Sequence, residues 1–152
     1  MCMRLAVVVG SLFAIWTSVA AAEDTWKEYD YSDLGFAVAF PADPAVEMLP
    51  YKTADGSVAT EIRYSVRQGA DVYIASVVDL SNIGIDAAAA VEQAVDALRE
   101  HGDIMLDIPA RVTRHFGRQL SVAGKDGSHS SVAIFFANGK LYGRGHGTAR
   151  KR

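Results

Sequence analysis

Four histidines, His101, His115, His129 and His146, are the side chains of this sequence best suited to move a proton or hold a metal near neutral pH. They are separated by 14, 14 and 17 residues. Zinc sites legible in sequence place two ligands about one helical turn apart, as in HExxH. No pair here is spaced that way, so no metal ligand set is assigned. His101 closes a helical stretch, where an imidazolium complements the helix dipole, and His146 lies in a glycine-rich segment.

The segment GKDGSHSS, residues 124–131, gathers Asp126, Ser128, His129, Ser130 and Ser131, which in composition supply a nucleophile, a base and an orienting carboxylate. Adjacent residues of a strand point to opposite faces, so Ser128 and His129 do not meet easily, and no serine stands in a G-x-S-x-G elbow. A polar turn accounts for the same residues without chemistry, and no catalytic residue is assigned. A small secreted hydrolase using His129 or His115 with Asp126 is kept as an alternative.

The segment RVTRHFGR, residues 111–118, sets Arg111, Arg114, His115 and Arg118 around Phe116. Arginine beside an aromatic ring suits an anion, a polyanion or a base. A solvated loop leading into a strand explains it more simply. No glycine-rich loop stands between a strand and a helix as phosphate binding requires, and no cofactor is implied.

The amino terminus bears on where such chemistry could act. Arg4 is followed by an apolar stretch from Leu5 to Trp16 and by Ala20-Ala21-Ala22, the small residues that signal peptidase needs at its cut. Residues 1–22 are therefore expected to be a cleaved signal peptide, leaving a periplasmic or secreted chain. The alternative is an N-terminal membrane anchor, since Leu5 to Ala22 is uncharged; the acidic Glu23 and Asp24 that follow are not a stop-transfer cluster. Cys2 is the only cysteine and precedes the apolar run. The remainder offers no disulfide, thiol nucleophile or thiolate metal site.

From Glu23 to Ala110 there are 5 basic and 17 acidic residues, and from Arg111 to Arg152 there are 9 basic and 1 acidic. In one domain the two halves can neutralise each other across the folded surface; the alternative is a basic face for an anionic partner. The expected organisation is the signal at 1–22, a single α/β domain at 23–145 and a disordered basic tail at 146–152. Arg144 to Arg152 could make weak contact with an anionic surface. An exported chain is not expected to bind nucleic acid.

Several elements must position these groups. GFAVAF, ended by Pro41 and Pro44, alternates Phe36, Val38 and Phe40 with small residues and predicts a strand with one bulky face. Trp26 to Tyr31 suits a short edge strand. Ile62, Tyr64 and Val66 alternate with charged or small residues, and VYIASVVDL is apolar on both faces, as a covered central strand requires. IDAAAAVEQAVDALREHG predicts one helix, with Asp86 as N-cap, a stripe of Val91, Val95 and Leu98 widened by Ala88 and Ala94, and Gly102 as a left-handed C-terminal residue. Phe36, Val38 and Phe40 are expected to face that stripe. Ile104 to Val112 reads as a strand broken by Pro109, and Phe116 to Ala123 as another. Asn138-Gly139 predicts a two-residue hairpin, opposing Ala137 to Lys140, Phe136 to Leu141 and Phe135 to Tyr142.

This order of pieces, with Gly35, Phe36, Val38, Phe40 and Pro41 at one end and Gly139, Leu141 and Tyr142 at the other, resembles the small exported bacterial proteins of the PsbP-like and DcrB-like kind. The resemblance spans most of Trp26 to Gly145. It implies an α+β sandwich on a largely antiparallel sheet and a binding or accessory role, and it brings no catalytic motif. Here Gly143 to Gly147 interrupt the apolar continuation of the last strand, which puts that strand's length in question.

The sequence thus points to a non-enzymatic, monomeric envelope protein with an unknown protein partner or small ligand. Arg114, Arg118, Phe135 and Tyr142 are its candidate binding residues.

Overall fold

The computed structural model describes residues 26–112 and 114–148. The expected signal segment and residues 149–152 of the expected tail lie outside the described residues. The elements follow in the order β1 (Lys27–Tyr31), β2 (Phe36–Phe40), β3 (Ala45–Lys52), β4 (Val58–Gln68), β5 (Asp71–Asp79), α1 (Ala87–His101), β6 (Gly102–Val112), β7 (His115–Gly124), β8 (His129–Ala137) and β9 (Lys140–Thr148). β3 to β9 form a seven-stranded sheet in the order β3-β4-β5-β9-β8-β7-β6, every neighbouring pair antiparallel, and β1 and β2 form a separate antiparallel pair. With one helix packed on a mainly antiparallel sheet, the α+β class holds.

Strand alternation divides the sheet into two faces. On one, Val78, Leu80, Leu120, Val122, Ile134 and Leu141 enclose Ala90, Val91 and Val95 of the helix, with Leu98 and Phe136 packed beside them. Asp86 caps α1, its carboxylate accepting from the backbone N–H of Ala88 and Ala89. Ala88 is exposed, and Ala90 takes the place expected of it beneath the stripe. Gln93 ties the helix to the β3–β4 turn, donating to the Lys52 carbonyl at 2.6 Å and accepting from the Ala54 N–H at 3.0 Å.

The strand Phe36–Phe40 does not face the helix, contrary to expectation. Its bulky residues lie on the other face of the sheet, with Tyr29 and Tyr31, against Tyr64, Val66 and Ala75. The double-sided apolar character of β5 is the physical reason. Val78 serves the helix layer while Ala75 and Val77 need a cover of their own, which the β1–β2 hairpin provides.

Other expectations also give way. Gly102 is extended (φ −178°, ψ −178°) rather than left-handed and begins β6. It is small because a Cβ there would lie 2.3 Å from the Ala123 carbonyl oxygen. Pro109 does not break β6, because β6 is an edge strand and need not donate outward at that position. β3 contains Pro50 and forms the opposite edge for the same reason. His146 to Thr148, expected in the tail, are the end of β9. The Asn138-Gly139 turn holds both residues at positive φ, and the three opposed pairs are those the two-residue loop requires.

Candidate ligand cleft

The residues of β9 after Tyr142 read Gly-Arg-Gly-His-Gly-Thr. Their period of two places Gly143, Gly145 and Gly147 on the helix side and Arg144, His146 and Thr148 on the hairpin side. Gly143 is the crowded one of the three: a Cβ there would come within 2.9 Å of Ser76 Oγ, whereas the nearest atoms at Gly145 and Gly147 would lie at 3.9 and 3.4 Å. A segment without apolar residues is therefore a central strand. It displays a cation and an imidazole from one face.

Antiparallel register aligns other side chains with them. Arg144 opposes Ala75 on β5 and Ala133 on β8, and Ala133 opposes Gln119 on β7. His146 opposes Tyr73 and Ser131. Where the β1–β2 hairpin ends short of these strands, a cleft of about 380 Å³ opens, walled by Trp26, Val38 and Tyr73 and floored by Gln119, Ser131, Ala133, Arg144 and His146.

The cleft has one ordered wall. Trp26 meets Tyr73 edge-on with ring centres 5.0 Å apart, and Tyr73 stacks on His146 at 4.7 Å and 14°. Asp71 fixes the far end: its carboxylate oxygen accepts from Thr148 Oγ1 at 2.9 Å and lies 3.3 Å from His146 Nε2. Arg144 is different. Among the described residues no carboxylate lies within ion-pairing distance of its guanidinium, and no hydrogen bond holds it. The site therefore offers a free planar fork of donors, with an amide and a hydroxyl nearby.

No family model matches the chain, and no curated protein matches it.

The four residues singled out in the sequence fall in three places. Phe135 and Tyr142 do meet, stacked with ring centres 5.1 Å apart on the hairpin face. Tyr142 is buried, and its hydroxyl donates to the Leu34 carbonyl at 2.9 Å, clamping the β1–β2 turn; burial first, then Asp79, raises its pKa. Arg114 sits in the β6–β7 turn and is exposed. Arg118 faces the helix, where Nε donates to Asp107 at 2.7 Å and a terminal nitrogen pairs with Glu92. One cation of the basic half is thus neutralised by two carboxylates of the acidic half, and the Arg118 side chain is only 19% exposed.

That clamp makes two predictions. Arg118→Met should lower folding stability by about 1 to 2 kcal/mol, less than a fully desolvated pair because the fork still touches water. Urea unfolding of the variant checks the value. The hydrogen bond from Arg118, and secondarily its charge, lowers the Asp107 pKa below its ordinary value. A carboxylate depressed in the folded state contributes stability above its unfolded pKa and loses it as pH falls through the folded value. Unfolding free energy should therefore decline below about pH 4, and Asp107→Asn should flatten that decline. An equally steep acid limb in the variant would show that Asp107 is not one of the groups responsible.

Of the two histidines considered with Asp126, His129 begins β8 three residues after it, and His115 is a strand's length away. His115 begins β7 and Asp126 follows its end, about 30 Å away along the strand. Asp126 accepts from the Ser128 N–H at 3.0 Å and hydroxyl at 2.6 Å, closing the β7–β8 turn. His101 Nδ1 lies 2.8 Å from the Ala97 carbonyl oxygen at the helix end. Among the described residues, no group of three His, Cys, Asp or Glu is placed to hold a metal ion, and no helix is long and apolar enough to cross a membrane.

Sequence reasoning missed Trp26, Tyr73, Gln119, Ser131, Arg144 and His146 as one group. The available signal was the alternation of glycine with Arg144, His146 and Thr148, which reads as a strand once glycine is allowed to form one face.

Proposed function

We propose that this chain is a non-catalytic binding protein of the bacterial cell envelope, exported by its first 22 residues and similar in build to the PsbP-like and DcrB-like proteins, with its ligand site in the Arg144 cleft. The observation that carries the reading is the Arg144 guanidinium, unpaired among the described residues and set in a concave site beside Gln119 and Ser131 and against an aromatic wall. A guanidinium held for stability is expected to look like Arg118, with its donors met by carboxylates. Arg144 has its donors available for something that arrives. Pro50 and Pro109 on the two edge strands, with the register shift between Ile104 and Leu106, blunt both edges against pairing and support a monomer.

Trp26 provides the test, because it is the only tryptophan once residues 1–22 are removed. Its emission should change saturably when the shortened protein is titrated with a panel of small carboxylates, and Arg144→Gln should abolish the change. A panel that leaves Trp26 unaltered would refute the site. Export is checked separately by fractionation: the reading requires a species cut after Ala22 in the periplasm or medium.

A further inference from the structure

The sheet face that floors the cleft continues beyond it to β6. From Arg144 the register runs to Ala133, Gln119 and Ile108, and from His146 to Ser131, Ser121 and Leu106. The floor between β9 and β6 is therefore small or polar, and its outer rim is apolar: Leu106 is 47% and Ile108 42% exposed. Three strand spacings separate Arg144 from Ile108, about 14 Å. The result is a strip of sheet with one cation at its inner end under Trp26 and Val38, hydrogen-bonding groups along its middle and the exposed apolar side chains of Leu106 and Ile108 at its outer end.

We propose that the cleft and this strip bind the free C-terminus of an extended peptide, with the terminal carboxylate on Arg144 and the preceding few residues laid across β8, β7 and β6. The inference rests on the cleft being a ligand site. Three features select this ligand. Among the described residues Arg144 is the one Lys or Arg lining the cleft, which matches a monoanion, and its planar fork suits a carboxylate. Gln119 offers both a donor and an acceptor, and Ser131 and Ser121 do the same, so peptide groups on the floor are satisfied where an acyl chain would leave these groups unpaired. The apolar groups at the two ends, Trp26 and Val38 inside and Leu106 and Ile108 outside, take side chains, and 14 Å is the span of about four extended residues. A bare inorganic anion would use Arg144 and leave the apolar groups at both ends without a partner.

The test uses the protein lacking residues 1–22 and acetyl-Leu-Ala-Leu-Leu, either as the free acid or with its C-terminus amidated, followed by amide chemical shifts. The free acid is expected to shift the amides of Ser131, Ala133, Gln119 and Ile108 and to bind at least tenfold more tightly than the amidated peptide. Arg144→Gln should remove that preference while its spectrum stays folded, and Ile108→Ser should weaken both peptides alike. Equal affinity for acid and amide, or shifts confined to other surfaces, would overturn the proposal. Decanoate, glucuronate and inorganic phosphate serve as competitors. If one of them binds at Arg144 and the peptide does not, the peptide assignment fails and the cleft stands. If none of the probes moves a cleft amide, both fail together.

Discussion

Phe40→Ala should destabilise the fold by about 3 to 5 kcal/mol and release the β1–β2 hairpin before the rest of the protein unfolds. Phe40 is 1% exposed and packs on Tyr29, Tyr64, Val66 and Ala75. The hairpin it anchors is its own two-stranded sheet; among the described residues no ladder joins it to the larger one. Such a pair is marginal alone. What holds it is side-chain packing, the Tyr142 hydroxyl on the Leu34 carbonyl, and little backbone bonding. Removing the ring deletes buried area and leaves a cavity where the two layers meet. Urea unfolding gives the size of the loss. Hydrogen exchange gives its location: the amides of Tyr29 to Phe40 should exchange faster than those of β5 and β9. A loss under about 1 kcal/mol, or uniform exchange, would mean the hairpin is held by something other than this packing.

Leu120→Ala addresses the opposite layer and should cost about 3 kcal/mol. Leu120 is 1% exposed and lies among Val91, Val95 and Val122, under the helix. Its neighbour Gln119 points the other way, into the cleft. The variant should therefore weaken the seat of α1 while preserving the response of Trp26 to ligand. Phe40→Ala should impair both, since Trp26 and Val38 belong to the layer it loosens. If Leu120→Ala eliminates ligand binding in protein that remains folded, the two faces are not independent.

What could be read from the sequence depended on whether a pattern is local. Asn138-Gly139 fixed its hairpin because two residues at positive φ set the register of everything beside them. Ile62, Tyr64 and Val66 alternate cleanly and fall on one face as expected. Phe36, Val38 and Phe40 were also recognisable as one face, but alternation does not say which side of a sheet that face meets. That choice was made by β5, which requires covering twice. β3 escaped because prolines at 44 and 50 resemble loop boundaries, and edge pairing with β4 is a non-local fact. Arg118 and Arg144 look alike in sequence, and only register shows that one turns to Asp107 and the other to open space. The cleft was illegible because its residues come from Trp26, just before β1, and from five strands, and because a glycine-rich segment resembles a tail.

The position of β9 has a consequence for the order in which the molecule can assemble. It comes last among the described strands, yet it lies between β5 and β8 at the middle of the sheet. Until it is made, β3-β4-β5 and β6-β7-β8 are two separate antiparallel ribbons with no shared ladder. The pairing of β5 with β9 closes a loop running from Asp71 to Thr148, a slow, non-local step. A growing chain thus stays divided until β9 is supplied, and full cooperativity arrives with the same residues that carry Arg144 and His146.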